Sequence, residues 1–291
     1  MQLNEAISSV LETTKQETET HASWVWVEAS VWTAPMLAAL VNGVKGGKWY
    51  SLMDKVYALA TLTAAWQQVR KNKGSHGVDG MSIERFAAKE GQYLLELQQA
   101  LKEGSYQPLP VKRVRIPKAG GGERPLGIPA VKDRVVQTAL KRVIEPIFEN
   151  EFVNHSYGFR PLRGCKLALR EVDGHMKAGQ TWVVDADLKS YFDTIPHAQL
   201  MAEVEKLISD GKVLKLIESY LEQDIMDGLK RWTPVAGTPQ GAVISPLLAN
   251  LYLHSLDKLM MQSGYTMVRY ADDCVPRRRI GGRSPPCSYA A

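Results

Sequence analysis

Cysteine is scarce in this 291-residue chain. The three cysteines, Cys165, Cys274 and Cys287, have no paired spacing, so no disulfide framework or zinc site is implied. A reducing, cytoplasmic setting is the default for such a chain. His76, His155, His197 and His254 show no ligand spacing and are read as structural or surface residues. Long apolar runs are missing too. The nearest, Trp24 to Val41, is interrupted by Glu28 and Pro35, so a helix packed on the body is expected there and not a membrane span. Trp24, Trp26 and Trp32 are read as packing residues. The first residues carry Glu5, Glu12, Glu17 and Glu19, which does not suit a signal peptide. No internal repeat is evident. From Pro276 onward acid is lacking altogether: four arginines and three prolines follow without periodicity, the composition of a disordered tail.

What is present is enough apolar sequence for one large domain or two smaller ones. The balance is basic, 36 Lys+Arg against 31 Asp+Glu. A net charge of +5 says little by itself about a polyanionic partner. Its distribution says more: Lys112, Arg113, Arg115, Lys118 and Arg124 face only Glu123 between residues 112 and 124.

Periodicity predicts helices from Ala29 to about Val41 and from Ser51 to Val69, separated by Gly43 and Gly46-Gly47. Ser82 is placed to cap another helix. Val111, Val114 and Ile116 predict a strand, Gly120-Gly121-Gly122 a turn, and Pro125 to Ile128 a second strand, forming a basic hairpin. Helices are expected over Val131–Glu151, Ala198–Ser209, Val213–Leu221 and Ala242–Leu259, the last interrupted by Ser245-Pro246. Trp182-Val183-Val184 reads as a strand ending at Asp185 and Asp187, and Tyr265 to Tyr270 as one that runs into Ala271-Asp272-Asp273.

Two acidic clusters thus follow two strands. Converging, they could hold a pair of Mg²⁺ ions about 4 Å apart, the arrangement that activates a 3′-hydroxyl against a nucleoside triphosphate. Clustered carboxylates repel one another unless a cation binds. Each part has a plain alternative. An Asp-Asp pair is ordinary turn composition, Asp193 suits a solvated turn or a cap, and Asp185 suits a strand-end hydrogen bond.

Six motifs in order add to this. Asp187-Leu188-Lys189-Ser190-Tyr191-Phe192-Asp193, then Thr238-Pro239-Gln240-Gly241 with Ser245-Pro246 and Asn250, then Tyr270-Ala271-Asp272-Asp273 stand in the order found in reverse transcriptases. Gly77-Val78-Asp79-Gly80, Ile116-Pro117-Lys118 with Arg124-Pro125-Leu126-Gly127-Ile128-Pro129, and Ser156-Tyr157-Gly158-Phe159-Arg160-Pro161 resemble the fingers motifs of group II intron-encoded reverse transcriptase/maturases. The resemblance covers about residues 43–275. It implies an α+β right-hand polymerase fold of fingers and palm with an antiparallel palm sheet. The divisions it implies are an N-terminal helical extension (1–50), fingers with part of the palm (51–180), the palm (181–275) and a non-family tail (276–291).

The same resemblance implies an RNA-directed DNA polymerase, with RNA template, intron RNA, DNA primer and deoxynucleoside triphosphate as partners and no membrane. Asp187, Asp272 and Asp273 would be catalytic and would bind two Mg²⁺, with the Leu188 carbonyl as a further ligand. Lys118 and Arg124 would grip the triphosphate, as a point charge and a bidentate fork can. Phe192 would stack under the sugar, or else is core, and Gln240 would contact the nucleotide. Arg160 and Arg163 would contact template backbone, or else are surface. The likeness ends where Pro276 and three arginines follow Cys274-Val275. A proline lacks a ladder donor, so the palm strand is expected to fail there, leaving a sheet edge, and a thumb to be absent. Impaired synthesis is expected of such a chain. The alternatives are a non-catalytic fragment that binds intron RNA, a decayed gene product, or a retron or diversity-generating reverse transcriptase.

Overall fold

The computed structural model describes residues 24–117, 121–180, 182–184 and 186–278. The architecture is α+β, with two four-stranded sheets set among helices. α1 (Ala34–Asn42) carries Pro35 in its first turn, where a missing N–H breaks no helix bond. Just before it, Trp32 is buried and its indole N–H donates to the Arg142 carbonyl at 3.1 Å, so this segment does pack on the body. No helix of the described residues is long and apolar enough to cross a membrane.

The helix expected from Ser51 to Val69 is two helices, α2 (Met53–Val56) and α3 (Leu59–Asn72). The Asp210 carboxylate, far along the chain, accepts from Leu52 N at 2.6 Å and Met53 N at 3.0 Å and pins the start of α2. Local periodicity cannot show such an anchor. α4 (Ile83–Ala87) begins at Ser82, whose hydroxyl accepts from Arg85 N at 3.2 Å, the cap expected from its type. α5 (Glu90–Glu103) stops at Gly104 in the left-handed conformation.

β1 (Val111–Pro117) and β2 (Glu123–Ile128) form the expected hairpin, in register from Lys112↔Ile128 to Pro117↔Glu123. α6 (Val131–Glu149) is the central helix. Val135, Val136, Ala139, Leu140, Val143 and Ile144 are all fully buried, more than one stripe of it, because α3 and the later helix Ser245–Gln262 both pack on it. α7 (Cys165–Lys177) leads to β3 (Trp182–Val183) and β4 (Ala186–Asp187). α8 (Tyr191–Thr194), α9 (His197–Leu207) and α10 (Gly211–Leu221) follow, then the hairpin of β5 (Ile225–Asp227) and β6 (Lys230–Trp232). β5 runs parallel to β1, giving the first sheet the order β2-β1-β5-β6.

α11 (Ser245–Gln262) starts at Ser245 and is not interrupted there. Pro246 sits in the first turn, a position proline favours. β7 (Thr266–Tyr270) and β8 (Asp273–Arg278) complete the second sheet. β8 is its centre, with β7 on one side and β3 and β4 on the other.

The expectation that the strand fails at Pro276 is therefore overturned. Val184 N donates to the Pro276 carbonyl at 3.2 Å. In an antiparallel ladder a residue's N–H and C=O point to the same neighbour. The donor that Pro276 lacks would have faced Val184, in the gap between β3 and β4, and not β7. The β7–β8 hairpin loses no bond, and Thr266↔Arg277 still pairs beyond the proline. The rest of the expected tail, after Arg278, lies outside the described residues.

Candidate active site

The second sheet brings the two acidic clusters together. β4 and β8 pair Ala186↔Cys274 and Asp187↔Asp273. Since Val184 donates to Pro276, alternation along the ladder makes Asp187↔Asp273 a non-hydrogen-bonded pair, the closer class, with Cα atoms about 4.5 Å apart. Asp272 is the second of two turn residues between Tyr270 and Asp273. Three aspartates thus occupy neighbouring backbone positions at one end of one sheet. As a donor set they fit hard divalent cations such as Mg²⁺. The Leu188 carbonyl, one residue on, accepts from Tyr191 N at 3.2 Å and keeps a second lone pair.

The turn is held from behind. Ala271 has φ 59°, the positive φ that a two-residue hairpin turn requires but that costs a residue with a Cβ roughly 1–2 kcal/mol. Arg269, fully buried, donates to the Ala271 carbonyl at 2.9 Å. Its guanidinium also grips Asp257 through two bonds, at 2.8 and 2.6 Å, and reaches Asn250 Oδ1 at 2.9 Å. Asn250 in turn donates to the Gly158 carbonyl at 2.7 Å. Phe159 and Ser190, which flank Gly158 and Tyr191, also have positive φ. Backbone strain of this kind persists only where the surroundings over-determine it. Cys274 is buried beneath the turn. Burial pushes its thiol up to about 11, with the Asp257, Asp273 and Asp272 carboxylates adding and Arg269 opposing, so it is a packing residue and not a nucleophile.

A second constellation forms around the loop 237–241. Thr238 N donates to the Phe192 carbonyl at 2.7 Å, and Gly237 N to the Ile195 carbonyl at 2.8 Å. On the other side Gly127 N donates to the Gln240 carbonyl at 2.6 Å. A Cβ at Gly127 would meet Gln240 O at 3.2 Å, and one at Gly241 would meet Leu126 Cδ1 at 2.9 Å, so the loop lies flat on β2. Phe192 and Gln240 are thereby tied to the strand that carries Arg124. Phe192 is half-buried, its ring edge-on to Phe159 at 6.4 Å and to Tyr191 at 5.7 Å. Arg124 is exposed. A groove of about 330 Å³ runs between Arg113, Trp232, Asp193 and Gln240. Lys118 and Asp185 lie outside the described residues.

The hairpin is less uniformly basic than its sequence. Arg115 sits 3.6 Å from Glu123 and 3.5 Å from Asp227, and Arg113 stacks over Trp232 at 5.4 Å. Arg160 is neither a template contact nor a surface residue. It is buried, donates to Glu149 at 2.8 Å and to the Val153 and Ser156 carbonyls at 2.6 and 2.8 Å, and holds the loop that carries Gly158. Arg163 donates to the Asn154 carbonyl at 2.5 Å. Sequence reasoning missed Arg269, Asp257 and Gly158 as parts of the site. The one available signal was a charged Arg269 in an apolar strand and a charged Asp257 in an apolar helix.

Comparison with known proteins gives the family of the chain. Residues 116–276, more than half of the chain, match the family described as reverse transcriptase (RNA-dependent DNA polymerase). The chain is 44% identical over 206 residues to protein YkfC of Escherichia coli, covering 68% of this chain and 54% of that protein. It is 37% identical over 216 residues to the group II intron-encoded protein LtrA of Lactococcus lactis, covering 73% of this chain and 35% of that one. An uncharacterized 91 kDa protein in a cob intron of Schizosaccharomyces pombe is 37% identical over 203 residues, 67% of this chain and 24% of its own length. The chain thus spans about half or less of the length of these relatives. It belongs to the reverse transcriptase family, in its group II intron-encoded reverse transcriptase/maturase branch.

Proposed function

We propose that this chain carries the nucleotidyl-transfer centre of an RNA-directed DNA polymerase, extending a DNA primer on an RNA template. The reading is carried by one observation: Asp187 is directly opposed to Asp273 in the ladder, with Asp272 beside it at the turn. Asp187, Asp272, Asp273 and the Leu188 carbonyl would hold two Mg²⁺, which when bound lower the pKa of the primer hydroxyl and offset charge on the leaving pyrophosphate. The chain's own part is positional. Arg269 and Gly158 hold the turn that sets Asp272 and Asp273 beside the backbone position of Asp187. Lys118 and Arg124, on either side of the hairpin turn, bind the triphosphate of the incoming deoxynucleotide. Phe192 and Gln240, tied to β2 through the loop 237–241, border its sugar and base. Intron RNA is the further partner that the branch of the family suggests.

Primer extension on an RNA template with Mg²⁺ and deoxynucleotides, beside an Asp187→Ala control, tests this. Extension abolished by the substitution supports the reading. Folded protein that binds RNA yet extends nothing overturns it and moves the function to RNA binding.

A further inference from the structure

We propose that His155, Glu171 and His175 form a binding site for a borderline divalent cation such as Zn²⁺, built from residues that the polymerase reading does not use. One ligand atom from each residue lies within 4.8 Å of the other two. Zinc bonds of about 2.0–2.2 Å to nitrogen and oxygen put two ligand atoms of a tetrahedral ion about 3.3–3.5 Å apart. His175 Nε2 stands 3.3 Å from Glu171 Oε1, and His155 Nδ1 contacts the same oxygen.

The scaffold is suited to the task. Glu171 and His175 are one turn apart on α7 and share a face. His155 comes from a segment tied to β7 by backbone bonds: Arg269 N donates to the His155 carbonyl at 2.9 Å, and Tyr157 N to the Arg269 carbonyl at 2.8 Å. The Tyr157 hydroxyl donates to the second Glu171 oxygen, the kind of outer contact that fixes a metal-binding carboxylate. All three side chains are partly exposed, and Tyr157 and Glu171 line an open groove of about 760 Å³, which supplies an entry path and room for a water ligand.

Two imidazoles and one carboxylate favour Zn²⁺ or Co²⁺ and disfavour Mg²⁺, which takes hard oxygen ligands. Arg163 is the neighbouring cation, 5.4 Å from the Tyr157 ring, and it opposes a dication. Its guanidinium is turned to Asn154, which lessens that opposition without removing it; with three protein ligands and a like charge nearby, micromolar affinity is expected. A bound ion would clamp α7 to the segment 155–157 behind β7. Without an ion, the same side chains are a hydrogen-bonded His–Glu–His chain, and the experiment must separate the two.

Zn²⁺ is titrated calorimetrically into the full chain in a large excess of Mg²⁺, which occupies sites of aspartate oxygens. Co²⁺ replaces it for visible absorption. The expected result is one equivalent bound at micromolar affinity, a Co²⁺ spectrum typical of a four- or five-coordinate site, and a higher melting temperature. Glu171→Gln and His175→Ala each weaken binding at least tenfold, and Asp187→Ala leaves it unchanged. Failure of the folded wild-type chain to bind Zn²⁺ overturns the site without recourse to any variant. Binding that survives both cluster substitutions, or that is lost with Asp187→Ala, overturns it as well. None of these readouts depends on polymerase activity.

Discussion

Gly158 lies against the backbone of Ala271: a Cβ at position 158 would stand 2.8 Å from Ala271 Cα and closer still to its nitrogen. The obstructing atoms are backbone and cannot swing aside. Gly158→Ala must push the Ala271-Asp272 turn away from β4 or distort the loop behind it. Overpacking of this kind costs roughly 1–3 kcal/mol of stability. The expected functional effect is larger, at least tenfold in single-turnover extension, with a raised Mg²⁺ requirement. Normal extension with normal Mg²⁺ dependence in a folded Gly158→Ala protein would show that the turn's position is not critical.

Asp257 is the counterion of a fully buried guanidinium. Asp257→Ala strands Arg269 without a partner, and breaking a buried pair in this way costs about 3–5 kcal/mol. Urea unfolding should show a loss of that size. Asn250→Ala removes one bond to Arg269 and one to Gly158 but leaves the ion pair, and should cost less. Equal losses would mean that the ion pair is not the main element.

Asp133 is buried beneath Tyr106 and Leu109, and burial raises its carboxyl to about 6, against the bonds from the Tyr106 hydroxyl and Leu109 N, which lower it. The folded chain therefore holds this proton more tightly than the unfolded chain does. Its contribution to stability is full below the unfolded value of about 3.9 and is lost as pH rises through about 6, on the order of 3 kcal/mol in all. Urea midpoints across that window should show the wild type losing stability relative to Asp133→Asn as pH rises. A difference that does not vary with pH rejects the shifted carboxyl.

Pro276 tests the sheet. Pro276→Val supplies the donor that would return the bond from Val184, and gives β8 a strand-favouring residue. A gain of about 0.5–1 kcal/mol is expected. A destabilised variant would mean that position 276 does not sit in the ladder as described.

Short-range chemistry made much of this fold legible. The Ser82 cap, the two strands of the β1–β2 hairpin, the long α6 and the strand before Asp272-Asp273 all rest on local propensity, and all are present. What was misread depended on neighbours distant in the chain. The helix expected from Ser51 begins only at Met53, where the Asp210 carboxylate pins it, and Arg160 is buried because Glu149 and two carbonyls surround it.

The sequence by itself determined the lineage and the inventory of chemistry: three aspartates beside strands, a basic hairpin, and six motifs in order. Only the tertiary structure decided how they meet. Register sets Asp187 opposite Asp273, although the two lie 86 positions apart in the chain. Whether a proline breaks a strand depends on which neighbour its missing donor would have faced, and that is a property of the sheet. The same holds for Arg269 and Gly158. A buried charge and a missing Cβ acquire a role only from what is packed against them.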